Sequence, residues 1–202
     1  MSKPLNRRLT TIDATFLYTE KQTQPMHVGG SMVYDGRLSR ELLVDALERR
    51  LHLLPRYRQK VVFPLFGVAH PTWEDDPGFD IANHVAEVTL PAPGDDRALS
   101  EVGGRAFAGM LDRDHPLWKL IIVHGRADGN TAVVWKVHHA MIDGVSGVDL
   151  TMVLHDLKAD APPPEPPGGA WQARPWTYPD YQRADYHQFF GRCREYLRRR
   201  YQ

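Results

Sequence analysis

Two β-rich runs, separated by a turn, lead directly into a loop that carries two adjacent histidines. Residues 118–124 and 131–137 are rich in β-branched and aromatic side chains, and Ala-Asp-Gly-Asn lies between them. This turn signal predicts an antiparallel hairpin. The loop His-His-Ala-Met-Ile-Asp-Gly follows at residues 138–144, and Ser146 with Asp149 then resembles a capping box at the start of a helix. A loop between a strand and a helix is a place where chemistry is often displayed.

Three further segments have helical patterns. Thr10 or Thr11 is predicted to cap a short first helix, and Ser39 is predicted to cap a second helix that Pro55 ends. Residues 97–111 place apolar side chains at helical spacing, which predicts a third helix with one face against a sheet.

Other segments have the pattern of strands. Residues 26–34 read as a strand in which Gly29 and Gly30 indicate a bulge or a close approach of backbone. Short strands are also expected between residues 61 and 90, and residues 85–90 give the clearest pattern. Helices and strands therefore alternate along the chain.

The histidine loop matches the His-His-x-x-x-Asp-Gly motif of the CoA-dependent acyltransferase superfamily. That superfamily includes chloramphenicol acetyltransferase-like enzymes, peptide-synthetase condensation domains and bacterial wax ester synthase/diacylglycerol acyltransferases. Further segments resemble the N-terminal half of the last family: residues 9–16, with Asp13, Pro-Met-His-Val-Gly-Gly at 25–30, Pro-Arg-Tyr-Arg-Gln at 55–59, and Leu-Asp-Arg at 111–113, which leads into Pro116-Leu117-Trp118. The resemblance covers about residues 5–158. It implies an α/β lobe like that of chloramphenicol acetyltransferase, a mixed sheet with flanking helices, and one of two similar lobes.

The loop residues suit acyl transfer to an alcohol, because that reaction needs a base that removes the hydroxyl proton. Histidine is well suited, since its ordinary pKa lies near neutral pH. By the resemblance, His139 is this base, with Nε2 toward the acceptor hydroxyl and Nδ1 held by a backbone contact, and His138 is chiefly supportive. The resemblance also implies that Asp143 holds the loop through an ion pair with an arginine. Gly144 allows a sharp turn into the helix.

Three neighbouring residues are candidates for the substrate pocket. The resemblance implies that Pro116, Leu117 and Trp118 shape it, although the same residues are equally consistent with the entry to a strand. A metal site is not expected at the histidines, because adjacent strand residues point to opposite faces. Ser146 is a candidate nucleophile, but a helix cap is the simpler interpretation.

The resemblance implies an O-acyltransferase that makes wax ester or triacylglycerol. It would transfer a fatty acyl group from acyl-CoA, a substrate, to a long-chain alcohol or diacylglycerol, and no cofactor is expected. Two alternatives remain open at this point. One is a condensation-type or polyketide-associated acyltransferase that uses carrier-bound acyl groups, and the other is an inactive N-terminal fragment.

Charge balance and cysteine content limit the partners and the compartment that are expected for this protein. Lys plus Arg and Asp plus Glu number 25 each, so no overall charge favours binding to nucleic acid. Cys193 is the only cysteine, which excludes an internal disulfide. A single cysteine suits a reducing cytoplasm, which is the expected compartment. No secretion signal and no apolar run long enough to span a bilayer are found in the sequence, so any contact with lipid is expected from the aqueous side.

The domain organisation predicted from these patterns has three parts. Residues 1–158 form the acyltransferase lobe, residues 159–180 form a Pro-rich linker, and residues 181–202 begin a basic helix. This helix is expected to lead to a C-terminal lobe, or to a second chain, that completes the fold. Its arginines are consistent either with packing against that lobe or with peripheral contact at the inner membrane or lipid droplets.

Overall fold

The computed structural model describes residues 8–64, 70–142, 153–156, 161, 164–165, 168–169 and 171–174. The helices and strands follow in the order α1 (Thr11–Thr19), β1 (His27–Tyr34), α2 (Arg40–Arg50), β2 (Gln59–Val62), β3 (Thr72–Asp75), β4 (Val85–Thr89), α3 (Asp96–Ala108), β5 (Trp118–His124) and β6 (Thr131–His138). Short 3-10 turns cover Leu51–Leu53, Pro55–Arg58, Ile81–His84 and His139–Met141.

Polar side chains set the starts of the helices. Thr10, Ser39 and Asp95 each accept a hydrogen bond from the backbone N–H three residues on, at 3.1, 3.2 and 2.9 Å. The predicted caps Thr10 and Ser39 are therefore confirmed. The second helix is shorter than expected, because α2 ends at Arg50 and a 3-10 turn carries the chain toward Pro55.

The main sheet has four strands in the order β1-β6-β5-β4. β6 pairs antiparallel with both β1 and β5, whereas β5 pairs parallel with β4. The predicted hairpin is thus β5–β6, and α3 lies in the connection between the two parallel strands. The sheet is mixed and flanked by helices, as the resemblance implies.

Each face of this sheet packs against its own helix. On one face, Leu43 and Leu47 of α2 join a buried cluster with Leu120 and Val133. On the other face, Leu99 and Val102 of α3 are buried in a separate cluster that includes Val123, Ala132 and Val134. Helix, sheet and helix therefore form layers whose apolar contacts stabilise the lobe.

A third cluster joins α1 to the end of the sheet that bears the histidines. Strands β2 and β3 form a separate antiparallel pair beside it. The members of the cluster come from α1 and the residues just before it, from the β2–β3 pair, from the segment that leads into β5 and from the histidine loop: Leu9, Ala14, Leu17, Val61, Trp73, Leu111, Leu117 and Ala140. This packing fixes α1 against the histidine loop.

Gly29 allows a close approach of backbone, and no bulge interrupts its pairing. Residues 27–34 pair with residues 138–131 without a break in register. A Cβ on Gly29 would lie 2.7 Å from Phe107 Cζ and would also meet the backbone of β6, whereas the nearest atom to a Cβ on Gly30 is 3.5 Å away. Of the two expectations for this pair, close approach is confirmed at Gly29.

Part of the segment predicted to be a linker packs on the lobe. Arg174 donates hydrogen bonds from Nε and Nη2 to the carboxylate of Asp75, both at 2.9 Å, and its backbone N–H donates a third at 3.1 Å. The guanidinium of Arg58 lies over the ring of Trp171, which also makes an edge contact with the ring of Phe79. The chain at residues 171–174 is therefore held against β3 and its surroundings.

A search for membrane spans finds none in the part of the chain that the structure describes, because each helix there is too short or too polar to cross a bilayer.

Candidate active site

The two histidines lie where β6 ends beside β1. The backbone N–H of His138 donates to Leu117 O at 2.9 Å, and that of His139 donates to Met26 O at 2.8 Å. The 3-10 turn that begins at His139 is closed by the hydrogen bond from Ile142 N to His139 O at 3.1 Å. Both histidines thus occupy defined backbone positions between two neighbouring segments.

The ring of His139 is held by stacking. It lies on the ring of Phe16, with centroids 3.9 Å apart and planes inclined by 19°. The side chain is partly exposed, but its Nδ1 is buried and has no hydrogen-bond partner within the described ranges. The backbone contact expected at Nδ1 is therefore not found among the described residues, where the stack on Phe16 restricts the orientation of the ring.

His138 points away from His139 into the protein, and its exposure is 0%. Its Nδ1 accepts a hydrogen bond from Ala140 N at 3.1 Å, so the neutral ring must carry its proton on Nε2. That Nε2 lies 3.4 Å from Glu20 Oε1, although their alignment is too poor for a regular hydrogen bond. Burial lowers the pKa of His138, and the nearby carboxylate only partly offsets this effect. A buried neutral imidazole suits a supporting residue better than one that contacts substrate.

Glu20 is a buried carboxylate that the sequence did not reveal. Its side chain is 1% exposed, and it accepts hydrogen bonds from Met26 N and Arg113 Nη2, each at 2.9 Å. Burial acts to raise its pKa, but these donors and the charge of Arg113 outweigh burial and lower it. Arg113 also donates to Leu17 O at 2.8 Å and so ties down the end of α1. The only sequence signal is a glutamate four residues after Phe16, which is equally typical of a solvated helix end.

Pro116, Leu117 and Trp118 have different surroundings. Pro116 and Trp118 are among the residues that line an open cavity of about 360 Å³, together with Lys119 and Lys136, but His139 is not in its lining. Leu117 is fully buried in the α1 cluster, so its side chain does not line the cavity. Its carbonyl instead supports His138, a role that no residue pattern indicated.

Trp118 is as much a core residue as a wall of the cavity. It is 1% exposed, stacks on His84 with ring centroids 4.3 Å apart, and donates from Nε1 to Tyr57 O at 2.8 Å. Its ring therefore anchors the start of β5 in the α2 face of the sheet.

Asp143, Gly144 and Ser146 lie outside the described residues, as does most of the predicted helix after them. In the described ranges, no three His, Cys, Asp or Glu side chains come together as a group that could hold a metal ion.

Comparison with known proteins assigns the family. The family model of the wax ester synthase/diacylglycerol acyltransferase catalytic domain matches residues 9–194. The chain belongs to this family. The resemblance inferred from the histidine loop and the flanking motifs is therefore confirmed.

Similar proteins occur in Mycobacterium tuberculosis. One, whose name provisionally assigns it as a diacylglycerol O-acyltransferase, is 39% identical over 168 residues, which are 80% of this chain and 34% of that protein. A second provisionally named diacylglycerol O-acyltransferase is 38% identical over 167 residues, which are 81% of this chain and 61% of that protein. The chain thus spans about a third of the length of the first relative and about three fifths of the length of the second.

Solved structures show the same fold. The wax ester synthase/diacylglycerol acyltransferase of Marinobacter aquaeolei VT8 matches with a TM-score of 0.59 and 29% identity, over 70% of this chain and 35% of that one. The first condensation domain of the CDA synthetase matches with a TM-score of 0.52 and 16% identity, over 71% of this chain and 37% of that one. The second likeness concerns the fold alone.

Proposed function

We propose that this chain supplies the histidine-bearing lobe of an O-acyltransferase that makes wax ester or triacylglycerol. The acyl donor is a fatty acyl-CoA, and the acceptor is a long-chain alcohol or the free hydroxyl of diacylglycerol. The observation that carries the proposal is the partly exposed imidazole of His139, held on Phe16 at the end of β6, in a chain of this family.

His139 acts as the general base in this proposal. Its Nδ1 is buried, so Nε2 is the nitrogen through which the partly exposed ring meets a substrate. Nε2 takes the proton of the acceptor hydroxyl while the oxygen attacks the thioester carbonyl carbon. The C–S bond then breaks, the proton passes from the imidazolium to the sulfur, and ester and free CoA leave. The protein needs no cofactor for this reaction, because acyl-CoA is itself a substrate.

The remaining residues in the loop support this base. Asp143 holds the loop through an ion pair with an arginine, and Gly144 permits the turn into the next helix, as the family resemblance implies. Pro116 and Trp118 are proposed to shape the substrate pocket, because both line the open cavity. A second lobe, or a second chain, completes the cleft opposite His139.

Lipid acceptors require contact with a lipid phase, and the arginine-rich stretch at 192–200 is proposed to provide it. Arginines beside aromatic side chains suit an anionic membrane or droplet surface. Cosedimentation with anionic vesicles should then weaken as the salt concentration rises, and binding that salt does not change would contradict this part of the proposal.

Release of free CoA tests the proposed donor and acceptor together. The purified chain, with any polypeptide that accompanies it, is given palmitoyl-CoA alone, with hexadecanol, or with diolein. We expect release to depend on the acceptor and to yield the matching ester. A parallel reaction supplies the palmitoyl group on an acyl-carrier protein.

The donor comparison separates the alternatives. Turnover of the palmitoyl-acyl-carrier protein but not of palmitoyl-CoA would establish the condensation-type alternative. Equal release of free CoA with and without an acceptor would establish a thioester hydrolase. A lone chain that binds no second polypeptide and releases no CoA would support the fragment interpretation.

A further inference from the structure

The end of helix α1 presents one side chain to each of the two histidines. Phe16 and Glu20 lie four residues apart, so both project from the same face at the end of the helix. The ring of Phe16 stacks on His139, and the carboxylate of Glu20 faces His138. We infer that Glu20 and Phe16 are positioning residues: Glu20 fixes the tautomer of His138, and Phe16 fixes the ring plane of His139. The inference deepens the proposed function and rests on His139 being its base.

The first step concerns the proton on His138. Ala140 N–H donates to Nδ1, so in this structure the neutral ring carries its proton on Nε2. Glu20 Oε1, 3.4 Å from Nε2, stabilises this tautomer through its negative charge. If the proton moved to Nδ1, two N–H groups would face each other inside the protein, and Ala140 N would lose its acceptor.

The second step concerns what holds Glu20 in place. Met26 N donates to Oε1 and Arg113 Nη2 donates to Oε2, so each carboxylate oxygen has a fixed direction. The side chain is almost fully buried, and water therefore does not screen it from His138. Met26 O also accepts a hydrogen bond from the backbone N–H of His139, so the same segment contacts both Glu20 and His139.

The third step concerns how these contacts affect the position of His139. Ala140, whose N–H is held by His138, directly follows His139 in the 3-10 turn His139–Met141. Loss of that hydrogen bond frees the turn from which the His139 side chain projects. Because a displacement of about 1 Å can cost on the order of 100-fold in rate, a looser turn lowers turnover more than substrate affinity.

Phe16 acts on the ring of His139 itself. Its stack at 3.9 Å and 19° restricts the orientation of the imidazole, and Nδ1 makes no hydrogen bond in the described structure that could do so instead. A flat aromatic side chain is therefore required at this position, whereas an aliphatic side chain of similar size leaves the ring free to turn.

The tautomer of His138 is measured directly by nitrogen-15 NMR of the histidine side chains in this chain, with the His138 signals identified by their loss in His138→Gln. In the wild type near neutral pH, we expect protonated Nε2 and unprotonated Nδ1. Glu20→Ala should give a mixture of tautomers. Glu20→Gln retains the size and one acceptor oxygen and should shift the tautomer less.

The control is Glu87→Gln, which removes another carboxylate that contacts a histidine. Glu87 Oε1 lies 3.0 Å from His124 Nε2 at a distant, more exposed part of the same sheet. This variant should leave the signals of His138 unchanged. A wild-type His138 protonated on Nδ1, or wild-type signals in both Glu20 variants, would overturn the inference even if the proposed acyl transfer is correct.

Kinetics test the consequence for turnover in the complete enzyme, which is this chain together with the second lobe or chain that is proposed to complete the cleft. Glu20→Ala and Phe16→Leu should each lower kcat by roughly 10- to 100-fold with a small change in KM, and Phe16→Tyr should restore most of kcat. If the variants changed only KM, or if Phe16→Leu kept the wild-type kcat, the positioning role would be overturned. An inactive wild type would contradict the proposed function but leave the NMR result valid.

Discussion

His138 and His139 are neighbours in the sequence but meet entirely different surroundings. Side chains alternate between the two faces at a strand end, so one ring enters the protein beside Glu20 and the other lies on Phe16 near the surface. The alternation could be predicted from the sequence, whereas the choice of His139 over His138 as the base follows from the family resemblance and stays a prediction. The two partners from α1 could not be predicted, because a contact between residue 20 and residue 138 depends on how helix and sheet pack.

A pair of adjacent glycines gives a test at the same scale. Gly29→Ala places a Cβ 2.7 Å from Phe107 Cζ and against the backbone of β6, so the strand or α3 must shift. We expect a loss of about 1–3 kcal/mol in the free energy of unfolding, measured by chemical denaturation. Gly30→Ala is the matched control, since its Cβ meets nothing closer than 3.5 Å and should change stability by less than about 1 kcal/mol. Equal losses in both variants would contradict the close approach at Gly29.

At the scale of elements, the sequence indicates local features but does not indicate which distant strands pair. The caps Thr10 and Ser39 and the β5–β6 hairpin depend on residues close in sequence, and each is confirmed. The parallel pairing of β4 with β5 joins segments separated by α3, and the pairing of β1 with β6 joins segments separated by nearly half of the chain. Hydrophobic periodicity identifies such strands but carries no information about their neighbours.

The contact between Arg174 and Asp75 predicts how stability depends on pH. Burial alone would raise the pKa of Asp75, but hydrogen bonds from Arg174 and Gln59 lower it from about 3.8 to about 2. The folded state therefore gains stability from this carboxylate above about pH 4 and loses it as the pH falls toward 2. Arg174→Met should raise the folded-state pKa toward the unfolded value. The variant should therefore be less stable than the wild type at pH 7, and the difference should shrink as the pH falls, as measured by thermal unfolding from pH 7 to 2.5.

Arg49→Met is the control for that prediction. Arg49 pairs with Asp45 on the surface of α2 at 2.8 Å, and such exposed pairs contribute little. Its acid profile should follow the wild type. If the Arg174 variant also follows the wild type, residues 171–174 do not hold the lobe as the structure indicates.

At the scale of the whole molecule, the family assignment and the fold agree. A mixed sheet between α2 and α3 presents the histidine loop at one end, and the same fold occurs in the wax ester synthase/diacylglycerol acyltransferase of Marinobacter aquaeolei VT8, of which this chain covers 35%. The fold class could be inferred from sequence, because the histidine motif and the flanking segments resemble a known family, whereas His139 as the base stays a prediction. Substrate choice could not be inferred, because the lining of a cleft depends on segments that are distant in sequence.

The most direct test is free CoA release by the His139→Ala variant in the complete enzyme, with palmitoyl-CoA and either hexadecanol or diolein. We expect turnover to fall by roughly 100- to 10,000-fold, because the acceptor hydroxyl loses its base. His124→Ala, which removes a more peripheral histidine of the same sheet, should retain wild-type turnover. Wild-type CoA release by His139→Ala would contradict the assignment of His139 as the general base and, with it, the proposed mechanism.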